Sequence, residues 1–119
     1  MLWKVYLIVM KLLLDEKMFI YYMIVNIGIS TTNYGVENSW RLEAKLNPSA
    51  TECFGAHYPS HVNQTVPCKL KEGMYELICE DSWGDGWEGG FLEIVGIEFC
   101  KDFRHNFRRQ GPQIYSIEV

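Results

Sequence analysis

Met74-Tyr75-Glu76-Leu77-Ile78-Cys79 and Phe91-Leu92-Glu93-Ile94 enclose the run Glu80-Asp81-Ser82-Trp83-Gly84-Asp85-Gly86-Trp87-Glu88-Gly89-Gly90. Both flanks are apolar and strand-like, and in the first Tyr75, Leu77 and Cys79 fall on one face of a two-residue period. The enclosed run holds four glycines within seven positions, which supplies the φ > 0 conformations of tight turns. Two strands joined by a loop rich in Gly, Asp and Trp predict antiparallel β-structure.

Working outward, Trp40-Arg41-Leu42-Glu43-Ala44-Lys45-Leu46 alternates without a fault. Trp40, Leu42, Ala44 and Leu46 are predicted to face a core, and Arg41, Glu43 and Lys45 water. Asn47-Pro48-Ser49 ends that strand, and Lys71-Glu72-Gly73 turns into the next. Residues 53–67, with Gly55, Pro59 and Pro67, read as a long loop pinned by cysteines. Val95-Gly96 is a two-residue hairpin turn between Phe91–Ile94 and Ile97–Phe99. A last strand, Ile114 to Val119, follows Gly111-Pro112. Roughly six to eight short strands and no amphipathic helix predict an all-β fold, an antiparallel β-sandwich or jelly roll.

A chain of 119 residues accommodates one hydrophobic core. Its net charge of −4 argues against nucleic acid or an anionic membrane as partner. Cys53, Cys68, Cys79 and Cys100 form an even set without a C-x-x-C pair, which favours disulfides in an oxidising compartment over zinc. They allow three connectivities. Asn63-Gln64-Thr65 is an acceptor for an N-linked glycan and agrees with an extracellular or cell-surface location.

The chain divides by composition into an apolar segment, 1–30, and a sandwich domain, 31–119. Within the first, Met1 to Met10 and Met18 to Val25 are apolar, and Asp15-Glu16-Lys17 separates them. Neither run reaches the length that spans a bilayer, so a membrane is not expected to hold the mature protein. Three fates remain for the segment. It forms strands of its own sandwich; it lends a strand to a neighbour's sheet through Trp3, Val5, Leu7 and Val9; or it is a signal peptide cleaved near Gly28 or Ser30.

Tyr75-Glu76-Leu77, Asp81-Ser82-Trp83-Gly84-Asp85-Gly86-Trp87 and Gly89-Gly90-Phe91-Leu92-Glu93-Ile94 together resemble the D-S-(Y/W)-G-D-G-W-x-G-G repeat of secreted and cell-surface proteins. The resemblance covers residues 73–103 and implies an extracellular β-rich module used in adhesion or assembly. The layout of length and cysteines is similar to CUB-type jelly rolls, which implies pairing Cys53 with Cys68 and Cys79 with Cys100. If the Phe91–Ile94 strand lay between the strands of the second pair, those cysteines would stand about 10 Å apart, too far to bond. The pairing therefore requires strands that are neighbours or that face each other across the sandwich.

Asp81, Asp85 and Glu88 with local carbonyls could hold calcium, a hard cation that takes several oxygens. Against this stands a purely structural role, with the two aspartates capping turn amides and both tryptophans packed inward. Trp83, Trp87 and Tyr58 could instead stack on sugar rings. His57 and His61 have the spacing of a helical metal pair, but Pro59 between them disfavours the helix. Basic residues cluster at Lys101, Arg104, Arg108 and Arg109 and acids between Glu80 and Glu93, two tracts that could meet in one chain or between copies. No nucleophile, metalloprotease or phosphate-loop motif is present, and no enzymatic activity is expected.

Two functions follow as expectations. The first is an extracellular structural subunit that assembles with copies of itself by exchanging its N-terminal strand. The second is a secreted module that binds extracellular glycan or protein through the central loop, with or without calcium, after loss of a signal peptide.

Overall fold

A computed structural model describes residues 2–4, 8–13, 19–82, 87–101 and 112–119. They form ten strands: β1 (Leu2–Lys4), β2 (Ile8–Leu13), β3 (Phe19–Ser30), β4 (Asn38–Ala44), β5 (Asn47–Gly55), β6 (Asn63–Lys71), β7 (Met74–Asp81), β8 (Phe91–Ile94), β9 (Ile97–Phe99) and β10 (Gln113–Glu118). A short 3-10 turn, Gly35–Glu37, precedes β4 and is the sole helical element among the described residues.

Two sheets pack face to face. The first has the order β1-β10-β7-β4-β5, and the second β2-β3-β8-β9 with β6 also on β3. Every pairing is antiparallel except that of β1 with β10. The expected β-sandwich is the fold.

Alternation decides which side chains enter the core. β3 turns Val25, Ile27 and Ile29 inward, and β4 contributes Trp40 and Leu42. Tyr75, Leu77 and Cys79 come from β7, Leu92 and Ile94 from β8, and Ile117 from β10. At about 1.5–3 kcal/mol for each large apolar side chain, these two facing rows are the main source of stability.

The fourth strand stops short of its predicted end. The chain turns at Lys45-Leu46, Asn47 pairs back on Ala44, and Leu46 is left fully exposed at 100%. The Lys45 amide donates to the Met74 carbonyl at 2.9 Å, which fixes this turn beside the start of β7.

The long loop expected over 53–67 shrinks to residues 56–62. β5 runs on to Gly55, opposite Trp40, and β6 begins at Asn63. Pro67 misled that reading, and Pro48 the end of the preceding strand, because each lies on an edge strand, where proline is tolerated. The Val95-Gly96 turn forms as expected, with φ of 52° and 74° and Ile94 opposite Ile97.

Both disulfides join one sheet to the other. Cys53 on β5 bonds Cys68 on β6, with Cα atoms 6.0 Å apart, and Cys79 on β7 bonds Cys100 just after β9, at 5.9 Å. The strands bearing Cys79 and Cys100 face each other across the core, so no strand intervenes. Each bridge closes a loop of 15 or 21 residues. Such closure stabilises by about 3 kcal/mol. Two disulfides in a small all-β domain are compatible with an extracellular protein.

Candidate functional site

Residues 2–13 contribute an outer strand to each sheet. β1 lies beyond β10, with Leu2, Trp3 and Lys4 opposite Ser116, Ile117 and Glu118. β2 lies on β3, from Ile8 opposite Ile24 to Leu13 opposite Phe19. Of the residues expected to mediate assembly, Trp3 and Val9 are placed in these strands. Val5 and Leu7 fall outside the described residues.

β3 is a shared hub. β6 pairs with it along one edge, over Tyr22–Ser30. The opposite edge is divided end to end, with β2 over Phe19–Ile24 and β8 over Ile27–Ser30. The ladder with β6 ends at Tyr22 opposite Lys71, whereas that with β2 continues to Phe19, so the β2–β3 pair extends past the end of β6. Cleavage near Gly28 or Ser30 would divide the strand that joins β6 to β8.

The central loop is anchored from below. Trp87 is 1% exposed, and its Nε1 donates to the Glu80 carbonyl at 3.0 Å. Glu88 and Gly89 have φ of 51° and 89°, and the Gly90 amide donates to the Trp87 carbonyl at 2.8 Å, a type I′ turn. Thr32 Oγ1 donates to the Glu88 carbonyl at 2.7 Å and ties this turn to the end of β3. A Cβ on Gly90 would come within 2.8 Å of the Ser30 carbonyl, so glycine is required there.

Tyr58 is also core. Its hydroxyl accepts a hydrogen bond from Trp40 Nε1 at 2.9 Å in a buried setting. Gly55 makes room for that contact, since a Cβ would lie 1.8 Å from the Tyr58 oxygen. Burial pushes the Tyr58 phenol above its ordinary pKa, and the Trp40 hydrogen bond opposes the shift in part. The sugar platform expected of Trp83, Trp87 and Tyr58 is therefore corrected. Two of those rings face the interior, because the small core needs their area, and Trp83 lies outside the described residues.

For the expected calcium ligands, Asp81 is half-buried at the end of β7 and Glu88 is exposed on the turn, while Asp85 lies outside the described residues. Among the described residues no three carboxylate, imidazole or thiol groups gather as a metal would require. His61 hydrogen-bonds Asn33 Oδ1 at 2.9 Å, and His57 is exposed.

One described member of each charged tract, Lys101 and Glu80, has a local partner. Lys101 pairs with Glu98 at 2.7 Å, and Arg104, Arg108 and Arg109 lie outside the described residues. On the outer face of the first sheet Arg41 pairs with Glu80 and with Glu43. Those two carboxylates, Glu80 foremost, raise its pKa.

Asn63, the expected glycosylation site, is exposed at the first position of β6, an edge strand. Of the residues beside it, Gly28 and Ser30 were expected only to mark a cleavage point, and Asn26 had no expected role. Their alternation with Val25, Ile27 and Ile29 was the available signal. No family model matches the chain, and neither do any curated proteins or solved structures.

Proposed function

We propose that the chain is an extracellular structural subunit that assembles with copies of itself by exchanging its leading segment, residues 2–13. The observation that carries this reading is that both strands of the segment lie on outer edges, one in each sheet. A strand added at an edge gains a ladder of backbone hydrogen bonds whichever chain supplies it. The ladders that β1 and β2 make at home can therefore form equally well on a second copy, and only the connecting residues decide which.

The remaining edges discourage uncontrolled growth. β5 carries Pro48 and a register shift near Glu43, β6 carries Pro67, Lys69 and Lys71, and β9 has three residues. Exchange through the leading segment gives and receives at different surfaces, so reciprocal exchange closes a dimer and successive one-way donation builds an open filament. The disulfides keep the recipient sandwich intact while the segment is away. The resemblance of residues 81–90 to repeats of secreted proteins supports the same compartment.

Deleting residues 1–17 and measuring mass in solution over a wide concentration range tests the proposal. Soluble monomers are expected from the truncated chain and higher oligomers from the full one. Oligomers from both would contradict it.

A further inference from the structure

The outer face of the second sheet carries a shallow trough of about 440 Å³ that neither assembly nor core packing explains. Asn26, Gly28 and Ser30 of β3 line its floor, Asn63 and Thr65 of β6 one side, and Phe91 and Glu93 of β8 the other. Register sets these in rows. Asn63, Ser30 and Phe91 stand side by side, and Thr65, Gly28 and Glu93 form the next row.

Gly28 is the informative residue. Glycine in a strand weakens it, and it marks a bulge, a crowded backbone or a ligand that comes close. Gly73, Gly89 and Gly96 have positive φ, and a Cβ on Gly35, Gly55 or Gly90 would strike a neighbour within 3.0 Å. Gly28 has neither reason. Its nearest neighbour would be Glu93 Cβ at 3.6 Å, an ordinary contact, and its register with β6 and β8 is unbroken. What the missing side chain does is keep the floor low between two polar walls.

We infer that this trough seats the first sugars of an N-linked glycan carried on Asn63. The acceptor asparagine and its threonine both lie on the trough's rim, exposed, on a strand with one free edge. A sugar leaving Asn63 along its own row crosses the small Ser30 and meets Phe91, whose ring suits the apolar face of a pyranose. Glu93 and Asn26 supply acceptors and a donor for its hydroxyl and acetamido groups. Lys101 Nζ lies over one face of the Phe91 ring, 5.5 Å from its centroid, which leaves the other face to the sugar. Seated there, the glycan also screens β6 from pairing with another chain. The inference rests on the extracellular part of the proposed function and not on strand exchange.

The test routes the full chain through a eukaryotic secretory pathway and compares the glycoprotein with Asn63→Gln, in the parent and in the Phe91→Ala and Gly28→Val backgrounds. Mass analysis should find Asn63 occupied. In the parent, the N-acetyl methyl proton of the first sugar should be shifted upfield by the Phe91 ring, and the glycoprotein should melt about 3 °C above Asn63→Gln. Both signatures should vanish with Phe91→Ala. Gly28→Val should raise the melting temperature of the bare chain, as a β-branched residue in a strand does, yet abolish the increment due to glycan. A bare Asn63 in the secreted protein, or a methyl shift that both substitutions leave unchanged, would overturn the inference. Neither result bears on strand exchange, which is read from oligomeric state.

Discussion

The stapled sandwich and the leading strands enter the fold in different ways. From Val25 to Cys100 the chain contributes buried rows from two sheets and two covalent ties between them. Leu2–Lys4 and Ile8–Leu13 pair as edge strands, the first in a three-residue parallel ladder, the less stable kind per residue. On the proposed function, the sandwich keeps its own strands while the segment makes contacts that a second copy would offer in identical form.

The largest expected effect sharpens that contrast. Reducing both disulfides removes about 6 kcal/mol in total, comparable with the whole stability of a small domain, and should unfold it. Deleting residues 2–13 removes two strands and no bridge, and should leave a cooperative melt. Thermal unfolding followed by circular dichroism checks both. If the deletion unfolded the sandwich while reduction did not, the division would be reversed.

Next comes Gly55→Ala. Its Cβ would lie 1.8 Å from the Tyr58 hydroxyl and 2.6 Å from Trp40 Nε1, in the stapled half. Overpacking of this kind should cost about 1–3 kcal/mol in denaturant unfolding.

A smaller effect concerns pH. Burial raises the Tyr58 pKa in the folded state, so folding favours the neutral phenol. The corresponding stability is fully present below the unfolded value near pH 10 and is lost as pH rises through the raised folded value. Tyr58→Phe should lose about 1 kcal/mol at neutral pH through its hydrogen bond, and should show a flatter alkaline limb than the parent. Equal alkaline slopes in urea titrations of the two proteins would contradict this.

The smallest is Arg41→Ala. Its side chain is 37% exposed and that of Glu80 is 42%, so solvent screens the pair. The loss should stay below about 1 kcal/mol and shrink with salt.

Sequence made the alternating strands legible and obscured the others. Trp40 to Ala44 and Met74 to Cys79 each alternate toward one buried face, so the two-residue period declared them, although Ile78 on the other face of β7 is buried as well. The Val95-Gly96 turn was legible from Gly96 and the apolar runs on either side, although Val95 at φ 52° is an unusual occupant of a type I′ turn. The start of β3 was harder. Phe19 to Val25 is apolar on both faces, like an export signal, and runs without a break into the clean alternation from Val25 to Ser30. Pro48 and Pro67 looked like loop markers because nothing local reveals that a strand will lie at an edge. For the central loop two readings stood open, tryptophans packed inward or rings offered to sugars, and packing bears out the first for Trp87 and removes Tyr58 from the second. The trough was invisible for a related reason, since its rows come from three strands distant in sequence.

The most direct test of exchange uses two single substitutions at one register pair, Leu2→Cys in one preparation and Ser116→Cys in another. The two are mixed, unfolded with disulfides intact, refolded together at high concentration and oxidised, then separated without reductant. Exchange predicts covalent dimers linking one variant to the other, formed far in excess of dimers within either preparation alone. If mixed dimers are no more abundant than those formed by each variant alone, β1 stays at home and the account of assembly fails.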